Sequence, residues 1–165
     1  MNEIDFERTN IGAFYSSLRP AYARRGAVPV LQSTQDSEYR EMEDAFRATG
    51  GIAVSEAITT LLSRTTNQPI SMLARWIVDH NVLGFEWRAR TLLPMFQFDL
   101  ATMYPNPAVG DVLRELVPVL SEWGASLWFA RSNSWIRDAA PVDVIAREPH
   151  AVFQAARADR FLASA

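Results

Sequence analysis

The chain has 165 residues, 48% of them apolar, a formal charge of -3 and no cysteine. That is enough sequence for one ordinary core, and it excludes disulfides, thiolate catalysis and cysteine-based zinc sites. All 16 basic residues are arginine, and the net charge divides as -2 over residues 1–51, +1 over 52–90 and -2 over 91–165, so no stretch carries the clustered positive charge that tracks nucleic acid.

The charged start Met1-Asn2-Glu3-Ile4-Asp5 predicts no secretory leader, and no window is apolar for long enough to span a membrane. With no cysteine to oxidise, the expected compartment is the cytoplasm, with no membrane partner. Residues 1–51 read as an N-terminal arm, with a short helix near Ile11 to Leu18, followed by an amphipathic helix. In that helix, Ser37 to Ala48, Tyr39, Met42, Ala45 and Phe46 share one face, and Gly50-Gly51 ends it. Residues 52–90 read as a helix-turn-helix-like segment and the start of a hairpin. Val54, Ile58, Leu61 and Leu62 form one helical stripe, opened by Ser55 and Glu56 and closed near Thr65-Thr66-Asn67. Pro69 opens a second helix reaching about Asp79, with Ile70, Leu73, Ala74 and Ile77 facing inward. Arg75 and Trp76, on its outward side, are the candidate DNA-contacting residues, on a face that is only weakly cationic.

Phe85 and Trp87 alternate with Glu86 and Arg88, the period of a half-buried strand, and lead into the dense apolar octet Leu92-Leu93-Pro94-Met95-Phe96-Gln97-Phe98-Asp99. A small central β-hairpin follows from these two runs. Pro94 cannot donate to a ladder, so the second run is expected at a sheet edge or as an extended crossing segment. An extended octet puts Phe96 and Phe98 on one face and Gln97 on the other. An unpaired buried amide costs about 1 to 3 kcal/mol, so Gln97 is expected to tie segments together. Phe96, Gln97, Phe98 and Asp99 are therefore the expected structural hub, with Asp99 as a turn or cap residue.

Residues 91–165 read as a helical domain. Asn106 caps a helix whose first residue is Pro107, with Val109, Val112, Leu113, Leu116, Val117, Leu120 and Trp123 at helical spacing. Pro118 should kink or break it, and Gly124 should stop it. Pro149 opens a last helix to about Leu162, whose alanines allow close approach of a neighbour. The fold class is mainly α, a helical domain with a small central β-hairpin.

Catalytic chemistry has little to work with. His80 and His150 are seventy residues apart, and no zinc-protease, nucleophile-elbow, Walker or dinucleotide motif occurs. No catalytic residue, metal or cofactor is expected, and the chain reads as a non-enzyme. Five tryptophans are present, and Trp128-Phe129-Ala130-Arg131-Ser132-Asn133-Ser134-Trp135 mixes two of them with Arg and Asn, a composition that suits either a core or a protein interface.

A set of these motifs resembles a known family. In order they are Gly50-Gly51; Leu73-Ala74-Arg75-Trp76-Ile77; Leu93-Pro94-Met95-Phe96-Gln97-Phe98-Asp99; Val112-Leu113; Trp128-Phe129 with Asn133 and Trp135-Ile136; Ala140-Pro141-Val142-Asp143-Val144-Ile145; and Val152-Phe153-Gln154-Ala155-Ala156-Arg157. Over residues 50–162 this order is similar to the Xre/MbcA/ParS type of bacterial antitoxin. Arg137 and Asp138 stand before Pro141, where that family favours a glycine. The resemblance implies a degenerate helix-turn-helix joined to a C-terminal toxin-binding domain. It also implies a cognate toxin as partner, often of the fold that degrades NAD or transfers ADP-ribose from it, together with a homodimer and binding to operator DNA. The residues expected to bind the partner are Trp128, Phe129, Asn133, Trp135, Arg160 and Phe161. The alternative is a non-enzymatic small-ligand-binding or accessory protein that uses the aromatic surface around Trp128 and Trp135.

Overall fold

A computed structural model describes residues 29–165, with side chains from 34 onward; the helix expected near Ile11 to Leu18 lies outside them. The first described helix, α1 (Pro29–Phe46), runs into a short 3-10 turn, Arg47–Thr49. Met42 and Phe46 are fully buried and Tyr39 is half-buried, one helical turn apart on one face, as the sequence period requires. Gly50 and Gly51 then reverse the chain at φ +104° and +76°. A Cβ on Gly50 would come within 2.8 Å of the Met95 Cβ, so only glycine fits there.

The reversal delivers β1 (Ile52–Val54), a strand that the sequence reading had merged into the following helix. Next come α2 (Ser55–Leu62), a loop over residues 63–68, and α3 (Pro69–Val78). The expected inward stripe of α3 is only partly inward. Leu73 is buried, whereas Ala74 and Ile70 are exposed, Ile70 to 73%. Trp76, expected on the outside, instead packs its ring 6.4 Å from Phe98 and 5.8 Å from Tyr104.

β2 (Phe85–Trp87) and β3 (Arg90–Pro94) form the expected hairpin, turned by Arg88 and Ala89 at φ 49° and 60°, the left-handed pair that a two-residue hairpin loop needs. The sheet order is β1-β3-β2, all antiparallel, so β3 is the central strand and not the expected edge. Pro94 is tolerated there for a geometric reason. Met95 N–H donates to the Gly51 carbonyl, and hydrogen-bonded pairs alternate along an antiparallel ladder, so the Ile52–Pro94 pair is one that exchanges no bonds. The other side of Pro94 lies beyond the end of β2, whose pairing stops at Phe85–Leu92.

The chain then leaves the sheet in a 3-10 turn, Met95–Gln97, where an extended run was expected. α4 (Pro107–Leu116) begins as anticipated, with the Asn106 side chain accepting from the Ala108 N–H at 3.0 Å and proline at the first turn. Pro118 ends this helix outright. A separate helix, α5 (Glu122–Ala130), starts after Ser121, whose hydroxyl accepts from the Gly124 N–H. Gly124 thus lies inside a first helical turn and is not a stop, and Trp128 and Phe129 are helical. A 3-10 turn, Ser134–Ile136, a short α6 (Pro141–Val144) and α7 (Pro149–Ala163) complete the fold.

The protein is mainly helical with a small three-stranded sheet. Residues 33–165 form one compact unit, and its sheet crosses the sequence boundary at 90/91, because β1 and β2 both pair with β3, which runs from Arg90 to Pro94. α4 packs most extensively on α7, where buried Ala155 and Ala156 bring the helices close beside Val152. Val109, Val112, Leu113 and Leu116 from α4 and Phe129 from α5 belong to the same core as Met42 and Phe46. Among the described residues no helix is long and apolar enough to cross a membrane.

Candidate functional site

The octet supplies a closed polar clamp. Gln97 is fully buried, yet its amide is well matched: the oxygen accepts from the Leu83 N–H at 2.6 Å, and the nitrogen donates to the carbonyls of Leu83 at 2.8 Å and Pro94 at 2.9 Å. One side chain therefore completes the backbone of the segment entering β2 and of the end of β3. Phe96 and Phe98 do not share a face, since the 3-10 turn rotates them apart. Phe96 meets Phe46 of α1 at 5.3 Å and Phe129 of α5 at 4.9 Å, whereas Phe98 faces Trp76 of α3. Asp99 closes the following turn by accepting from the N–H groups of Ala101 and Thr102 and from the Thr102 hydroxyl. The Thr102 and Ala101 bonds hold its carboxyl below the usual aspartate range.

The five tryptophans divide into two kinds. Trp87 and Trp123 lie beneath α1: Tyr39 stacks on Trp87 at 5.0 Å, Trp87 lies 5.4 Å from Trp123, and the Trp123 indole N–H donates to Glu38 at 2.7 Å. Burial, followed by the neighbouring Glu43, pushes the Tyr39 hydroxyl well above its ordinary pKa. Trp76 is packed as described above. The remaining two, Trp128 and Trp135, converge on a residue that the sequence reading passed over, Asp159 of α7.

Trp128 Nε1–H and Asn133 Nδ2–H donate to Asp159 Oδ2 at 2.7 and 2.8 Å, and Trp135 Nε1–H donates to Oδ1 at 2.9 Å. The Asn133 side-chain oxygen in turn accepts from the Trp135 backbone N–H at 2.9 Å, and the Asn133 backbone bridges to Ala139. Arg137 and Asp138 make that turn at φ 61° and 58°. Helices α5 and α7 and the 132–139 turn are thus stitched together at one carboxylate. Trp135 nevertheless remains 56% exposed, fixed at its polar edge with its ring in solvent.

The residues expected to bind a partner divide accordingly. Trp128, Asn133 and Trp135 meet at Asp159. Phe129 is fully buried, packed on Phe96 and edge-on to Trp128 at 5.2 Å, so it is a core residue. Arg160 pairs across to Glu115 of α4 at 3.0 Å, and Phe161 stands 73% exposed near the end of α7 beside Leu162 at 61%. Of the two DNA candidates, Arg75 is exposed and Trp76 is half-buried against its aromatic partners. Beside the Asp159 cluster lies an open groove of about 490 Å³, floored by Leu120, Gly124 and Leu127 and walled by Trp128, Arg131, Asn133 and Asp159. Arg131 is tied to α1, donating twice to Glu41, and Glu41 with Glu38 holds its guanidinium charged.

No signal within 131–136 names Asp159. The only sequence clue is that packed indole N–H groups need acceptors, and the acceptor lies 24 to 31 residues away. Among the described residues no group of three or more His, Asp or Glu side chains could hold a metal ion. No protein-family model, curated protein or solved structure matches this chain.

Proposed function

We propose that this protein is antitoxin-like: it binds a partner toxin through the surface around Trp135 and the end of α7 and thereby neutralises it. The observation that carries this reading is Trp135. It is a large aromatic ring, 56% exposed, whose orientation is set by bonds to Asp159 and Asn133. A rigid, exposed indole is the kind of anchor around which protein interfaces concentrate their binding energy, and Phe161 and Leu162 near the end of α7 are exposed as well. Operator binding is a secondary part of the proposal and would involve α3 through Arg75. Co-expression with the product of the adjacent reading frame tests the main claim. Relief of growth arrest and a co-purifying complex are expected; no relief together with no complex overturns it.

The groove favours a second reading, a small-ligand binder, because its volume and mixed lining suit a modest organic molecule. A thermal-shift screen against metabolites separates the two: a saturable stabilisation lost on filling the groove, with no effect of any neighbouring gene product, favours the ligand.

A further inference from the structure

The groove has an electrostatic feature that its packing leaves unbalanced. A carboxylate offers about four lone-pair positions. At Asp159 two donors occupy Oδ2 and one occupies Oδ1, and all three are neutral N–H groups. The nearby guanidinium groups are committed elsewhere, Arg131 to Glu41 and Glu38, and Arg160 to Glu115. Among the described residues no cation pairs with Asp159. A carboxylate without a cationic partner among the described residues therefore stands at the wall of an open groove, with one acceptor position left on Oδ1. The same groove is lined by the aliphatic side chains of Leu120 and Leu127, and the exposed Trp135, outside that lining, holds Oδ1 by its indole N–H.

We infer that this groove is the docking site for a basic peptide segment of a partner protein. An Arg or Lys of that segment donates to Asp159 Oδ1 beside Trp135, and an adjacent aliphatic residue fills the floor over Leu120 and Leu127. Charge complementarity selects the occupant: the remaining acceptor position on Oδ1 takes one further N–H, and a cation supplies the charge that three neutral donors leave unmatched. The apolar floor asks for an aliphatic neighbour within the same short segment. This assignment rests on the partner-binding reading and adds to it the chemistry of the segment recognised.

The test is selection of a random peptide display library on the immobilised full chain, followed by affinity measurements with the enriched peptides. Enriched sequences should place Arg or Lys next to Leu, Ile or Val. Replacing that cation by citrulline or norleucine should weaken binding by about tenfold or more, and Asp159→Asn should do the same. Because Asp159→Asn could loosen the α5–α7 junction, a second variant, Gly124→Leu, fills the groove floor without touching Asp159. At this position a Cβ meets its nearest neighbours at 3.4 to 3.7 Å, ordinary contact distances. It too should weaken binding by about tenfold or more, with a melting temperature no lower than that of the native protein. Enriched peptides without a cation, no enrichment at all, or affinity unchanged in both variants overturns the inference. If the adjacent gene product still binds the Asp159→Asn and Gly124→Leu proteins with full affinity, the groove assignment fails while the antitoxin-like reading stands. If basic peptides bind but no toxin is neutralised, that reading fails and the groove assignment survives.

Discussion

Gln97 and Asp159 perform the same task in two different settings. Each is one polar side chain that gathers several hydrogen bonds and joins segments distant in sequence. Gln97 is sealed, and its three bonds all go to backbone groups that would otherwise be buried unpaired. Asp159 is half-exposed, gathers its bonds from side chains, and carries a charge that nothing among the described residues neutralises. An amide suits the closed site because it can be satisfied without charge, whereas a carboxylate at a buried site would carry a large desolvation cost. The closed clamp holds the sheet, and the open one holds the Trp135 ring toward solvent.

Substitutions that probe each side should separate by size. The largest loss is expected at Phe129, which the sequence placed among the partner-binding residues and which the fold buries completely. Phe129→Ala should cost about 3 to 5 kcal/mol, read as a shift in the denaturation midpoint. A cost within experimental error would return Phe129 to the surface group. Gln97→Leu keeps the volume but strands the N–H and carbonyl of Leu83, and should cost about 3 kcal/mol by the same measurement; a neutral result would mean that the clamp is dispensable.

The unequal legibility of these two sites has a physical cause. The Gln97 clamp could be read from its surroundings, since a polar residue inside an apolar run must find partners nearby. The cap at Asn106-Pro107 and the hairpin alternation were legible for the same reason, because local chemistry decides them. β1 was missed because three residues are too few to show a period and Val54 also fits the stripe of α2. The central place of β3 is not legible locally because the register that excuses Pro94 is set by its pairing with β1. The outward turn of Ile70 and the inward turn of Trp76 depend on what packs against α3, which the period alone does not reveal. Asp159 was missed for the most general reason: its partners lie on another helix and another turn.

The smallest expected effect is at Asp99, which is local and solvent-exposed. Its folded-state pKa lies below its ordinary value of 3.8, so its contribution is present above the unfolded value and disappears as pH falls through the folded one. Asp99→Ala should therefore melt slightly below the native protein at neutral pH, and the two melting curves should converge on acidification below 3.8. A gap that widens in acid would contradict the turn role given to this carboxylate.

The comparison between the closed and the open clamp is tested most directly at Trp135, the residue that the open one presents. Its substitution should affect partner binding and leave folding intact. For Trp135→Ala, titrated with the purified product of the adjacent reading frame, the expected result is an affinity loss of about thirtyfold or more, with stability within about 1 kcal/mol of the native protein. Unchanged affinity, or a variant that fails to fold, would contradict the account and place Trp135 with the core.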